Sequence, residues 1–104
     1  MISRAIFPGK VHELAENLAR EISRRYPSAI ANSPEPLIST SRRAEILERV
    51  FRQARQFSEE RRLGLFGRMR LGSALRWRLK EMGYDEKFID LAAEHLAVSI
   101  TDQR

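Results

Sequence analysis

Apolar residues recur every three or four positions in several long stretches between Val11 and Ile100, and no segment alternates apolar with polar residues. A period near 3.6 places side chains on one side of an α-helix, whereas a half-buried strand needs a period of two. The first stripe, Val11, Leu14, Ala15, Leu18, Ala19, Ile22 and Tyr26, follows Pro8 and Gly9 and stops at Pro27. Its opposite side is polar, with Glu16 one turn ahead of Arg20 as a supporting ion pair. Ile2, Ile6 and Phe7 form a short apolar arm ahead of that helix, available to cover a groove on this chain or on a neighbour.

Residues 27–39 contain Pro34 and Pro36 and show neither period, so they read as an ordered strap anchored by Ile30, Leu37 and Ile38. Thr40 or Ser41 is placed to cap a second helix, whose buried stripe is Ala44, Leu47, Val50, Phe51, Ala54 and Phe57. From Arg61 to Gly83 no single helical wheel fits. Leu63, Leu65, Phe66 and Met69 point away from Leu71, Leu75, Leu79 and Met82, so a kink or short turn is expected at Gly64, Gly67 or Gly72. Gly83 is suited to a left-handed cap. Asp85 then starts a final helix with Tyr84 as a staple on Ile89, and Phe88, Ile89, Ala92, Leu96 and Ser99 or Ile100 carry its buried side.

These segments predict an all-α fold: a small antiparallel four-helix bundle with a broken third helix and a proline-containing strap between helices one and two. At 104 residues one core is expected, hiding roughly two-thirds of the unfolded surface. The single domain spans 1–104, with 1–10 as the apolar arm and 27–39 as the ordered connection. Cysteine is absent, which removes disulfides, thiolate metal sites and a cysteine nucleophile. No apolar run approaches the roughly 20 residues that span a bilayer, and residues 1–10 lack a secretion-type apolar stretch. A cytoplasmic protein without a membrane partner is expected.

The net charge of +5 is unevenly distributed. Between Arg42 and Lys80 twelve basic residues face only Glu45, Glu48, Glu59 and Glu60; after that, Glu81, Asp85, Glu86, Asp90, Glu94 and Asp102 face Lys87 and Arg104. The basic centre and the acidic end can dock within one monomer, pair head to tail between monomers, or meet separate partners. Arg42, Arg49, Arg52 and Arg55 form a ridge on the second helix, and such ridges are usually simply solvated. Arg68 and Arg70, ahead of a possible helix start at Gly72, resemble a phosphate trap of arginine forks and free N–H groups.

Catalytic signatures are missing: there is no phosphate-binding glycine loop, dinucleotide fingerprint or nucleophile elbow. His12 and His95 have no carboxylate or second histidine at ligand spacing, and the paired carboxylates Glu59–Glu60 and Asp85–Glu86 read as caps or solvated charges. No catalytic residue, cofactor or metal is therefore expected. Leu79, Gly83 and Ile89 fit a helix-turn-helix corner, but Asp85, Glu86, Asp90 and Glu94 on the second helix would be repelled by phosphate. Trp77, between Arg76 and Arg78, lies about 160° around the helix from Leu71, Leu75 and Leu79. It packs in a second layer, in an interface with a partner or a second copy, or on a base. Two functions remain. One is a non-catalytic protein-interaction module, a small regulator or adaptor and possible homodimer, using Phe7, Trp77, Arg76 and Arg78. The alternative is sequence-tolerant nucleic-acid binding through Arg42, Arg49, Arg52, Arg55, Arg68 and Arg70.

Overall fold

The computed structural model describes residues 3–101, excepting the side chains of residues 3–8. Its described residues form five helices and no strand: α1 (Ser3–Arg25), α2 (Ser28–Ala31), α3 (Thr40–Arg61), α4 (Leu65–Glu81) and α5 (Glu86–Thr101). The apolar stripes of the four long helices close on one core. Val11, Leu14, Leu18 and Ile22 of α1 meet Leu47, Val50 and Phe51 of α3, Leu71, Leu75 and Leu79 of α4, and Ile89, Ala92 and Leu96 of α5. Each helix lends one face to this cluster, as the sequence period requires. Helix α4 packs against α1 and α5, while α3 packs against the same two helices from the far side. Helices α3 and α4 therefore occupy opposite corners of the bundle.

Helix α1 continues through Pro8 and Gly9, so the expected arm at 1–10 is helical from Ser3 onward, with Pro8 withholding one backbone donor from the helix. Ile2 and the side chains of Ile6 and Phe7 lie outside the described residues. Ser39, one residue before the expected caps, accepts a hydrogen bond from the Arg42 N–H at 3.0 Å and starts α3. Ile46 and Ser58 join the buried side of α3, whereas Ala44 and Phe57 are only half-buried.

The strap contains the single helical turn α2. Ile30, Ala31 and Ile38 lean on the core, but Leu37 is exposed and anchors nothing. Asn32 fixes the strap to the α4–α5 corner: its side chain donates to the Gly83 carbonyl at 2.8 Å and accepts from the Asp85 N–H at 2.9 Å. That corner is the cap expected of Gly83. With φ at 92°, Gly83 lets its N–H reach the Lys80 carbonyl and the Tyr84 N–H reach the Leu79 carbonyl, closing the end of α4. Tyr84 stacks on Phe88 with ring centroids 5.0 Å apart and donates to the Tyr26 carbonyl at 2.7 Å.

The expected break near residues 61–83 lies ahead of α4. Arg62 adopts a left-handed conformation (φ 53°) and, with Leu63 and Gly64, separates α3 from α4; Leu65–Glu81 is one continuous helix. Gly67 serves close packing, since a Cβ there would stand 2.7 Å from Leu63 Cδ2. Its neighbour Leu63 turns back into the core, while Leu65, Phe66 and Met69 do not follow it. The two apolar directions read from the sequence are therefore two faces of one helix.

Replacing Gly83 by Ala forces a side chain into the left-handed region and is expected to cost about 1–2 kcal/mol; Asn32→Ala loses two hydrogen bonds and is expected to cost about 1–2 kcal/mol. Urea denaturation measures both, and a loss well below 0.5 kcal/mol for either variant would contradict the latch. Burial pushes the Tyr84 phenol above its ordinary value, a hydrogen bond with Ser23 opposing the shift and neighbouring Tyr26 adding to it. The neutral phenol's contribution to stability is thus complete below about pH 10 and is lost as pH rises through the raised folded value. Urea midpoints should fall above about pH 10 in the native chain and fall less in Tyr84→Phe.

Candidate functional site

With Leu71, Leu75 and Leu79 directed into the core, the opposite side of α4 faces outward, and that side carries large apolar residues among polar ones. Phe66 is 78% exposed, Met69 59% and Trp77 64%, with Leu65 beside them at 61%. Phe66, Ser73 and Trp77 follow one another along the outer line of the helix, and Met69 sits one position around. A tryptophan this open is not packed in a second layer, so the layered placement of Trp77 is set aside. Large side chains exposed singly are common on protein surfaces; several gathered on the outward side of one helix mark a candidate interaction surface.

Beside this line lies a slot of about 300 Å³ between the first half of α4 and the second half of α5, lined by Leu65, Met69, Gly72, Ala93, Leu96 and Ala97. Gly72 occupies the middle of α4, where glycine weakens a helix by roughly 1 kcal/mol relative to alanine. Apart from the helix's own nearby backbone and its chain neighbours, no atom of the described residues lies within 4 Å of where its Cβ would stand. Packing against other elements does not explain this glycine, which forms part of the wall of the slot. On the other flank of Trp77, an open trough of about 820 Å³ runs over His12, Glu16, Arg70 and Ser73.

The charged candidates separate into engaged and free groups. Arg76 donates twice to Asp90 of α5, at 2.9 and 2.5 Å. Arg78 holds Glu81 at 3.1 Å, and its Nε lies 3.2 Å from Glu16 as an ion pair whose N–H is not aimed at the oxygen. Lys80 stands 3.9 Å from Glu86. Part of the contrast between basic centre and acidic end is therefore neutralised inside the monomer. Arg68 donates to the Leu63 carbonyl at 3.2 Å and secures the turn before α4. Arg70, exposed between Phe66 and Trp77 in sequence, has no carboxylate within 4 Å among the described residues. The phosphate trap expected at Arg68 and Arg70 is absent because α4 begins at Leu65: the N–H groups of that stretch are already spent on helical bonds, Arg68 on the Gly64 carbonyl at 3.0 Å.

On α3, Arg42 pairs with Glu45 at 3.0 Å. Arg49, Arg52 and Arg55 are exposed, with Glu45, Glu48 and Glu59 interleaved on the same side. This ridge is therefore of mixed sign. Because α3 and α4 sit at opposite corners of the bundle, Arg42, Arg49, Arg52 and Arg55 cannot share one contact surface with Arg70, Arg76 and Trp77. Among the described residues no three His, Asp or Glu side chains gather to hold a metal ion, and none of the helices is long and apolar enough to cross a membrane.

Sequence reasoning found Trp77 and missed Phe66, Met69 and Gly72. Their signal is the second apolar direction on the wheel of residues 63–82, which the sequence alone reads as a kink or short turn in a broken third helix. No protein-family model, characterised protein or solved structure matches this chain.

Trp77 is the only tryptophan, so its fluorescence reports directly on this face. The free protein should show the red-shifted, acrylamide-quenchable emission of a solvated indole, and a blue-shifted, protected emission would contradict the exposed geometry. Gly72→Ala should stabilise the fold by about 0.5–1 kcal/mol, whereas Trp77→Ala should change stability by less than about 0.5 kcal/mol. Thermal and urea denaturation check both.

Proposed function

We propose that this chain is a non-catalytic protein-interaction module, a small cytoplasmic regulator or adaptor whose four long helices form an antiparallel scaffold presenting the outer face of α4. One observation carries the reading: Phe66, Met69 and Trp77 stand exposed along a single side of a helix whose other side is fully used by the core. Tryptophan and arginine are enriched where proteins meet, and this face combines Trp77 with Arg70. The sequence adds no motif for phosphoryl transfer, dinucleotide binding or acyl transfer, which supports a binding role over a catalytic one.

Pairing of two copies through this face is the simplest form of such a module. It is opposed by charge, because Arg76, Arg78 and Lys80 have acidic neighbours in the chain but Arg70 does not, and two copies of Arg70 brought together across an interface disfavour it. Nucleic-acid binding is the second reading, favoured by the unpaired Arg49, Arg52 and Arg55 on α3. It is weakened by the carboxylates interleaved with them.

Capture from native extract, with and without nuclease, separates the two readings. The interaction module retains proteins on the intact chain, loses them with the double variant Phe66→Ser/Trp77→Ser, and is indifferent to nuclease. Nuclease-sensitive capture that survives this double variant but disappears when Arg49, Arg52 and Arg55 are changed to Glu would instead establish the nucleic-acid reading. In that case affinity must also fall steeply with added salt.

A further inference from the structure

We infer that the outer face of α4 receives an acidic amphipathic helix of another protein, which seats one large apolar side chain in the slot at Gly72 and sets its carboxylates against Arg70. This rests on the reading of the chain as an interaction module and specifies the chemistry of its partner.

Three observations converge on that occupant. The first is shape. The slot of about 300 Å³ lies at the lower limit for small-molecule sites and suits a single anchoring side chain, and Met69 joins it to the exposed Phe66 and Trp77. An apolar line of this kind along a surface is what the apolar stripe of an incoming helix covers.

The second is the glycine. Gly72 weakens α4 without serving a contact with another element, and it lines the slot, so a residue that costs stability stands at this surface, a pattern typical of sites kept for binding.

The third is charge. The acids of this chain are committed to the edges of the face, Asp90 to Arg76, Glu86 beside Lys80, and Glu16 and Glu81 to Arg78. Arg70 is left without a counter-ion next to the apolar line. An acidic helix completes this charge pattern, whereas a second copy of the same face would bring Arg70 and Lys80 against their like. A nucleic acid would find few free cations near Trp77 and would leave the slot, Phe66 and Met69 without a role, since phosphate binding depends on several basic contacts.

The test is selection from a displayed library of helical peptides without charge bias, carried out on the full chain at physiological salt. Enriched peptides should be acidic, with two large apolar residues one or two turns apart. Their affinity should drop at least about tenfold with Trp77→Ala, with Arg70→Glu and with Gly72→Leu, which fills the slot. Because all three positions are on or near the surface, circular dichroism melting should show each variant folded, with Gly72→Leu no less stable than the native chain, so that lost binding is not lost structure.

Neutral or basic peptides that still require Trp77 would overturn the acidic partner while leaving the interaction face standing. If no peptide is enriched, or if enriched peptides bind the α4 variants undiminished, both the inference and the interaction face fall. Two further results would assign the face to a different occupant and overturn the inference: Trp77-dependent binding of a labelled oligothymidylate, and self-association abolished by Trp77→Ala in sedimentation.

Discussion

The burial of Leu71, Leu75 and Leu79 between α1 and α5 is the contact on which the rest of this molecule depends. These three leucines orient α4 about its own axis, and rotation by half a turn would exchange its two apolar sides. Once they are inside, Phe66, Met69 and Trp77 must be outside, because a helix projects side chains in all directions while the core receives only one. The exposed patch is thus a direct consequence of packing. A helix apolar on two sides is normally sandwiched; here the neighbours stop at one layer and the second side is left to the solvent or to another molecule.

Charge follows from the same arrangement. Packing α5 beside α4 brings the acidic end of the chain onto the flank of the basic centre, and Arg76 meets Asp90. Exposed ion pairs of this type contribute little to stability, typically up to about 1 kcal/mol. Their importance lies in where they leave charge uncompensated: on α4, positive potential persists around Arg70, at the apolar line itself. On α3, arginines and glutamates share one side, and the potential is mixed.

The corner between α4 and α5 holds these two helices in register. Gly83 closes the end of α4, Asn32 reaches from the strap to the Gly83 carbonyl and the Asp85 N–H, and Tyr84 spans the gap to the end of α1 at Tyr26. The strap is therefore structural, joining three elements at one end of the bundle. The slot lies between the first half of α4 and the second half of α5, away from this corner.

The sequence alone determined the all-helical class, the buried stripes of α1, α3 and α5, the Leu71–Leu75–Leu79 stripe, the Gly83 cap and the oddity of Trp77. Each depends on residues within a few turns of one another, and local periodicity and backbone preference act at that range. The sequence did not determine that residues 65–81 are one helix, because a wheel records two apolar directions equally whether they belong to two helices or to two faces of one. Nor did it determine the start of α1, the role of Asn32, or which arginines are engaged. Those were decided by tertiary structure: which face of α4 is covered, and which acids arrive beside which arginines, are fixed by neighbours distant in the chain. For the same reason the arginines that look like one basic region in the sequence are divided between α3 and α4, at opposite corners of the folded protein.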